Sequence, residues 1–499
     1  MSGGGGGGKG GGAQTTGYRY MFGIHMGIAR GPVNEIIEIK VGDKTAWSGS
    51  ITGNENIVID QYNLFGGEGK EGGIQGTLQT MMGRPDQVAC TGLAAMLPGP
   101  LPGFRRMVTA FFDGIVAMNN PYPKPWKFRI RRTTEGWDTA VFEPDLAQIQ
   151  YAPPGGAVTI IAMNPAHIIW ECFTNREWGR GLNPAMLDYD SFQTAAQTLF
   201  DEHFGLCMKW SRRDSIESFV QSVIDHVGAA LFTSRRTGLI VLKLIRGDYI
   251  VDDLPIYDTT YGILSISENS VASQGVGINQ IIVTYHDPIT DEDKVVKVEN
   301  LAAIQGAKGA VNSSKISYTG IPTPALATRI AQRDLKATSL PLRKFSFTMN
   351  RIGRDVEPGS VVVIQDRDRG IPKTVVRIGK VDDGGLTKGT ITFTGIEDVF
   401  ALPITSYAAT VPNTWETPNF TACLDVHAAF ELPYFLVMHN TSQADMQFIT
   451  ADSGYIGTVM ARGSQMNVGY KIAVRPTAPT GEDYPVGTSN YCGFVPDWI

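Results

Sequence analysis

NPAHIIWECFTNREWGRGLN, residues 164–183, holds the sharpest change of pattern in the chain. Asn164 followed by Pro165 predicts a helix start, because Asn caps free backbone N–H groups and Pro fits the first helical turn. Apolar residues follow as far as Phe173, which predicts a buried helix that ends near Asn175. The arginines, tryptophan and glycines after it predict a rigid corner that presents the domain to a partner.

Helical periodicity continues downstream, where two further helices are expected with a short strand, LCMKW, between them. Apolar residues recur every three or four positions in both helical segments, and a glycine ends each one. The expected starts and ends are Asp188 or Asp190 to Gly205, and the capping pair Asp214 and Glu217 to Gly228. ALFTS and LIVLKLI then flank the turn RRTG, which predicts a hairpin.

The sequence on both sides of these helices has the short alternating runs and frequent turn residues of β-structure. Its 499 residues include 57 glycines and 28 prolines, and 42% are apolar, which favours several β-rich domains. The predicted fold class is a β-rich α+β multidomain protein. The expected divisions are a flexible glycine-rich arm at 1–16, a β-rich domain at 17–150, an α+β module at 151–255, a second β domain with one helix at 256–340, a small β-barrel or sandwich at 341–410 and a C-terminal β-rich module at 411–499, which has no obvious closing element.

Glycines crowd the stretch NLFGGEGKEGGIQGTLQTMMG, residues 63–83. Glycine permits positive φ angles and close backbone approach, so this stretch predicts an exposed or interface loop. Phe65 and Lys70 in this loop are candidate contact residues. The arm at 1–16 is interpreted as flexible, with threading between subunits as the alternative.

The charge balance argues against a nucleic-acid partner. The formal net charge is −6, whereas a nucleic-acid binder carries a basic domain or patch. The densest basic cluster, FRIRR at 128–132, is expected to place arginines on the solvent face of a strand. Charged residues make up only 18% of the chain, which suggests that other subunits cover part of its surface.

The cysteine pattern favours free thiols. The five cysteines, at positions 90, 172, 207, 423 and 492, are widely spaced and form no Cys-x-x-Cys pair. This pattern suits folding in a reducing cytoplasm. The N-terminal segment lacks the apolar core of a signal peptide, and no apolar run is long enough for a membrane span. We therefore expect neither export by the general route nor a transmembrane segment.

Sequence motifs for catalysis or metal binding are absent. The chain contains no Gly-x-Ser-x-Gly or His-Glu-x-x-His, and its phosphate-loop lookalikes lack required residues. The acidic run DPITDEDK, residues 287–294, is expected to be a solvated hairpin tip, and IQDRDRG, residues 364–370, an exposed strand end or intersubunit rim. His203 and His226 are expected near helix C-termini, where a positive charge is favourable. We expect no enzymatic activity, no cofactor and no metal.

The stretch at 164–183 resembles a segment of the tail tip, or baseplate hub, proteins of long-tailed bacteriophages, a group that includes the host-specificity protein of lambda-like phages. The residues that carry the resemblance are Asn164, Pro165, Ala166, Thr174, Asn175, Trp178, Gly179 and Gly181. Five further segments resemble the same family in the same order, at 31–47, 63–78, 219–245, 355–366 and 430–438. The resemblance covers most of residues 17–440.

This resemblance implies tail-tube-like hub β-barrel domains with an inserted α+β module. It also implies a homotrimeric ring at the distal tip of the tail, assembled in the host cytoplasm. The ring would close the tail tube, contact the distal tail protein ring, the tape measure protein and tail fibre or central spike proteins, and contribute to host attachment and genome ejection. A host surface receptor is a further candidate partner. Many family members carry long C-terminal extensions, so either separate fibres recognise the host or the chain continues beyond residue 499.

Five residues are candidates for contacts with partner subunits. Tryptophan beside arginine is typical of interface hot spots, which selects the corner after the first helix. The glycine-rich loop is selected because its glycines predict an exposed or interface loop. The candidates are Trp178, Arg176, Arg180, Phe65 and Lys70. Trp170, inside the helical stripe, is expected in the core, whereas Trp178 suits packing and interface equally. A tail-associated cell-wall hydrolase and a carbohydrate-binding module with Trp415 and Tyr434 as stacking platforms stay open as alternatives.

Overall fold

The computed structural model describes residues 19–401, except for 68–69, 119–121, 153–158, 212–213, 270–276, 340–341 and 385–388, and beyond them residues 408–410, 426–431, 433, 435, 439, 456–462, 470–474, 484–489 and 493–494. The chain divides into two compact units, Met1–Pro412 and Asn413–Ile499. The predicted arm at 1–16, Cys423, Cys492, Trp415 and Tyr434 lie outside the described residues.

A β-sandwich opens the first unit. Its strands are β1 (Arg19–Arg30), β2 (Glu35–Val41), β3 (Lys44–Ile51), β4 (Glu55–Gln61), β5 (Ile74–Met81), β6 (Met107–Met118) and β7 (Trp126–Arg131), with the short helix α1 (Thr91–Met96) between β5 and β6. One sheet has the order β1-β6-β5-β4 and the other β3-β2-β7. Side chains on alternate positions, such as Ile36, Ile39, Leu78 and Phe112, point between the sheets and form one hydrophobic cluster.

The predicted loop at 63–83 is wrong in its second half, because residues 74–81 form the central strand β5. Gly76, within this strand, allows two strands to approach closely rather than forming a loop. Gly76 lies opposite Gly114, and a Cβ on either would come within 2.3 Å of a backbone oxygen of the partner strand. Gly66 and Gly67 have the predicted positive φ angles, of 96° and 70°.

Helices α2 (Pro165–Thr174), α3 (Tyr189–Asp201) and α4 (Ile216–Val227) follow the sandwich, with two hairpins beside them. The hairpins are β8 (Gln148–Tyr151) with β9 (Ile160–Met163), and β10 (Ala229–Thr233) with β11 (Ile240–Leu244). The predicted helix over the NPA stretch, its end at Asn175, the hairpin around RRTG and the burial of Trp170 are all confirmed.

Three local details of this region differ from the predictions. Ser215, rather than Asp214, caps α4, and its hydroxyl accepts a hydrogen bond from the Ser218 N–H. Helix α3 ends at Asp201, and His203 (φ 50°) takes the left-handed turn expected of Gly205. Gly205 instead permits close packing, since a Cβ there would lie 2.7 Å from that of Ala162. The stretch LCMKW forms a single β-bridge at Leu206 and no regular strand.

Asn164 caps the N-terminus of α2 and also bonds two backbone carbonyls outside this helix. Its Oδ1 accepts from the Ala166 N–H at 3.1 Å, and its Nδ2 donates to the carbonyls of Leu146 and Ala196 at 3.1 and 2.9 Å. The side chain is fully buried, so no water can replace these partners.

We expect Asn164→Ala to lower the free energy of unfolding by about 2 kcal/mol, since the cap is lost and two carbonyls are orphaned. Asn183→Ala is a matched control, because Asn183 caps the second Asn-Pro-Ala stretch in the same way but is exposed. Urea denaturation of both variants checks this. Equal losses would contradict the role assigned to the buried contacts of Asn164.

A second sheet shares one hydrophobic core with these helices. Its strands are β14 (Gln280–Asp287), β15 (Glu292–Glu299) and β16 (Ser313–Ser317), joined by β21 (Ala408–Thr410), in the order β16-β14-β15-β21. Helices α5 (Leu301–Gly306) and α6 (Pro324–Ser339) follow β15 and β16. The hairpin with its tip at 287–294 is confirmed, and the one helix expected within 256–340 is observed as α6, whereas α5 was not predicted.

The third sheet is nearly closed. It contains β12 (Ile256–Asp258), β13 (Ile263–Asn269), β17 (Lys344–Met349), β18 (Val361–Asp366), β19 (Ile371–Asp382) and β20 (Ile391–Glu397), in the order β12-β18-β19-β20-β17-β13. An isolated bridge joins Asp258, at the end of β12, to Gly262, just before β13. The sheet surrounds its own core, in which Phe345, Phe347 and Phe393 are fully buried. The predicted strands between 341 and 397 are confirmed, and strands from 256–269 join them.

The second unit is described through its strands β22 (Val426–Glu431), β23 (Ile456–Arg462), β24 (Tyr470–Val474), β25 (Tyr484–Ser489) and β26 (Gly493–Phe494). They form one sheet of order β22-β23-β26 and one hairpin of β24 with β25. The predicted fold class, a β-rich α+β multidomain protein, is confirmed. The domain boundaries stay predictions.

Candidate interface surfaces

The corner after α2 is rigid because its backbone is held from several sides. Asn175 Oδ1 accepts from the N–H groups of Glu177 and Trp178 at 3.0 and 3.2 Å. A Cβ at Gly179 would lie 2.6 Å from the carbonyl oxygens of Asn175 and Cys172, and Gly181 has a φ of 65°. The two glycines therefore let the chain fold back tightly onto the end of the helix.

The three corner candidates have different surroundings. Trp178 is half-buried, packs against the helical core and lies 5.5 Å from the ring of Trp210 between centroids. Arg180 donates to Glu217 at 2.5 Å and lies over the ring of Phe173. Arg176 is the most open of the three, with 73% of its side chain exposed. These residues form one surface, which we call the tryptophan corner.

Phe65 and Lys70 lie elsewhere, on the turns that precede β5. The Lys124 ammonium lies 4.9 Å from the centre of the Phe65 ring and pairs with Glu71 at 2.6 Å. Lys124 precedes β7, whereas Arg132, which contacts the tryptophan corner, follows it. The two candidate surfaces are therefore at opposite ends of this strand, separated by roughly 17 Å along it. The sequence could not show this separation.

Two carboxylates near the corner have unforeseen basic partners. Glu171 on α2 is 3% exposed at its side chain and accepts from Arg132 Nη1 at 3.0 Å and Nη2 at 2.5 Å. Glu177 in the corner forms ion pairs with Arg30 and Arg106. In the sequence, Glu171 only interrupts an apolar run, so no local signal could have identified its partner.

A cleft of about 1230 Å³ lies beside α4 and α6. Its walls include Ile224, Ile316 and Phe400, with charged groups from both helices at its sides. Arg333 closes the end of α4 by donating to the carbonyls of His226 and Asp225 at 2.9 and 3.2 Å. The lining residues run from Glu217 to Phe400, 183 positions apart, so the cleft could not be predicted from the sequence.

His226 lies in the last turn of α4, as predicted, but its ring is buried and its two nitrogens have partners that suit the neutral form rather than a positive charge. Its Nδ1 donates to the Ser222 carbonyl at 2.6 Å, and its Nε2 accepts from the Gly320 N–H at 3.2 Å. Protonation would set a second N–H against Gly320. Burial lowers the pKa of His226 below its ordinary value, against the smaller opposing effects of Ser222 and Asp225.

We expect a pH dependence of stability from this histidine. Because folding lowers the pKa of His226, this group binds fewer protons in the folded state than in the unfolded state. Its full contribution to the free energy of unfolding is therefore present above about pH 6.5 and decreases as the pH falls below that value. His226→Gln should flatten the fall in urea midpoint between about pH 7 and about pH 5. The substitution should not abolish the fall in urea midpoint, because burial also lowers the pKa values of His167 and His25. An unchanged slope would contradict this assignment.

The charged motifs of the sequence have ion-pair partners within the chain, although among the described residues the Nε atoms of Arg129 and Arg131 are buried without a hydrogen-bond partner. In FRIRR, Arg129 and Arg131 pair with Glu38 and Glu35 at 3.5 and 2.8 Å. Asp366 of IQDRDRG is buried rather than exposed, and its Oδ1 accepts from the N–H groups of Asp368 and Arg369.

The tip of the hairpin β14–β15 is only partly solvated. Asp291 pairs with Lys127 at 2.9 Å, and the Pro288 carbonyl accepts from Arg129 at 3.0 Å. Within the part of the chain that the structure describes, no group of His, Cys, Asp and Glu side chains is arranged to hold a metal ion. Among the same residues, no helix is long and apolar enough to cross a membrane.

Comparison with known proteins finds a family match over part of the chain. Residues 215–381 match a family described as "Putative phage tail protein". This segment runs from α4 to β19, so the predicted resemblance to phage tail proteins is confirmed. No curated protein sequence matches the chain.

Among solved structures, the fold is similar to a chain of the "Virion of native gene transfer agent (GTA) particle". The TM-score is 0.53 at 16% identity, and the match covers 78% of this chain and 81% of that chain. A tail protein from Neisseria meningitidis MC58 gives a TM-score of 0.31 at 10% identity, covering 73% and 96%. The 43 kDa tail protein of prophage MuSo2 from Shewanella oneidensis gives 0.30 at 12%, covering 73% and 99%.

Proposed function

We propose that this chain is a structural baseplate hub protein at the distal tip of a phage tail. Three copies form a ring that closes the tail tube. The ring contacts the distal tail protein above it and the central spike and fibres below it. It also meets the tape measure protein and contributes to host attachment and genome ejection. The match of residues 215–381 to a phage tail family carries this proposal.

The architecture supports a structural role. Two separate β-structures, the sandwich and the nearly closed sheet, flank a core of helices, and each has its own buried cluster. Rigid β-bodies suit a ring, because neighbours can cover their edge strands. We propose the division at 17–150, 151–255, 256–340, 341–410 and 411–499 as the corresponding domains.

We further propose that the tryptophan corner and the turns with Phe65 and Lys70 contact different neighbours. They lie at opposite ends of β7, so a single small partner would not cover both. Arg176 is the sharpest probe, because its side chain is largely open to solvent.

The native mass of the full chain, with and without a phage distal tail protein, tests the ring. We expect a species of three copies, either alone or on addition of that protein. A monomer under both conditions would contradict the ring. Arg176→Glu should weaken the assembly while leaving the thermal unfolding of the chain unchanged.

A peptidoglycan-clearing assay separates the hub from a tail-associated cell-wall hydrolase. We expect no clearing by the purified chain. Clearing that persists after gel filtration at the mass of the chain would favour the hydrolase. Binding to host glycans that is lost in Trp415→Ala would favour the carbohydrate-binding module.

A further inference from the structure

The joint between the sandwich and the rest of the first unit has an unusual composition. We call residues 19–132 the sandwich body and residues 133–401 the helical body. The sandwich core draws its buried side chains from Val33 to Ala117, and the core around the helices draws its own from Phe142 to Leu335. Among the described residues, each hydrophobic cluster lies on one side of the joint, so apolar burial contributes little to holding the bodies together.

The ion pairs that cross the joint share the same polarity. At one end, Arg30 and Arg106 pair with Glu177, and Arg132 pairs with Glu171. In each of these contacts the cation belongs to the sandwich body and the carboxylate to the helical body.

The other end of β7 repeats the arrangement. Lys127 pairs with Asp291 at 2.9 Å, and this ammonium, as a hydrogen-bond donor, lowers the pKa of the Asp291 carboxyl. Arg129 and Lys40 donate to the carbonyls of Pro288 and Thr290 at 3.0 and 3.4 Å. The hairpin tip therefore accepts hydrogen bonds from basic side chains of the sandwich body. The tryptophan corner does the same at the opposite end of β7.

We propose that these contacts form an electrostatic latch, which holds the sandwich body against the helical body and can open without unfolding either core. Ion pairs at both ends of β7 fix the sandwich body. The chain crosses between the bodies once, after Arg132, where Asn34 Oδ1 also accepts from the N–H groups of Thr133 and Thr134 at 2.8 and 3.2 Å. Attraction between faces of opposite charge is weakened by salt, whereas apolar packing is not. The latch does not depend on the proposed hub function.

Trypsin cleavage of the folded full chain after Arg132 measures opening, because this side chain is held by Glu171 across the closed joint. Mass spectrometry of the fragment that ends there gives its rate. We expect Glu177→Gln to raise this rate about tenfold. Glu217→Gln is the matched control, since Glu217 pairs with Arg180 of the same corner but does not cross the joint.

Two further arms distinguish a latch from general destabilisation. Raising NaCl from about 0.05 M to about 0.5 M should speed this cleavage in the unaltered chain more than in Glu177→Gln. The charge-reversed variant Glu177→Arg with Arg30→Glu and Arg106→Glu should return the rate toward that of the unaltered chain. The proposal is overturned if Glu177→Gln and Glu217→Gln behave alike, if salt has no effect, or if the reversed variant stays open.

Discussion

Arg132→Leu is expected to lower the free energy of unfolding by about 3–5 kcal/mol, the range for a buried ion pair that loses one partner. Arg132 supplies two hydrogen bonds to Glu171, whose side chain is 3% exposed. Without it, the Asn175 amide, at 3.3 Å, is the one hydrogen-bond partner left to the carboxylate among the residues that the structure describes. A carboxylate that has lost its cation would then remain in the core beside Cys172.

The double variant Arg132→Leu with Glu171→Leu tests the reason for this loss. It should be more stable than Arg132→Leu alone, because it removes the buried charge together with its partner. Arg180→Leu is the control, since its pair with Glu217 is exposed and should cost far less. Urea denaturation followed by tryptophan fluorescence measures all three. Equal losses for Arg132→Leu and Arg180→Leu would contradict the account of the buried pair.

Phe192→Ala is the second large effect, with an expected loss of about 3–5 kcal/mol in the free energy of unfolding. Phe192 on α3 is fully buried and meets Trp170 edge to face, with ring centroids 5.2 Å apart. Truncation leaves a cavity between α2 and α3 that a close-packed core cannot fill by relaxation.

Phe200→Ala serves as the comparison for this variant. Phe200 lies on the same helix but is only half-buried, so less contact is lost and water reaches the site. We expect a clearly smaller loss from the same urea denaturation measurement. A Phe192→Ala variant as stable as Phe200→Ala would show that the helical core is not packed as described.

Local signals predicted the helix starts and ends best. The Asn164-Pro165 start, the end at Asn175 and the left-handed Gly228 all depend on residues within one turn of each other, and all three are observed. The errors at Ser215 and Gly205 also have local causes. Several capping residues stood side by side, and the geometry of the chain selected a different one.

Long-range partners could not be predicted. Gly320 satisfies His226 from 94 positions away, and Arg132 lies 39 positions from Glu171. Periodicity predicts which face of a helix is buried, but not which polar group of another segment contacts that face. For the same reason the tryptophan corner could be located in the sequence, whereas its distance from Phe65 and Lys70 could not.

Electron microscopy of phage particles that carry this chain, labelled with gold-conjugated antibody against it, tests the central claim most directly. A hub protein predicts label at the distal end of the tail, in particles with and without fibres. Label along the tail tube or on the capsid would contradict the assignment to the tail tip.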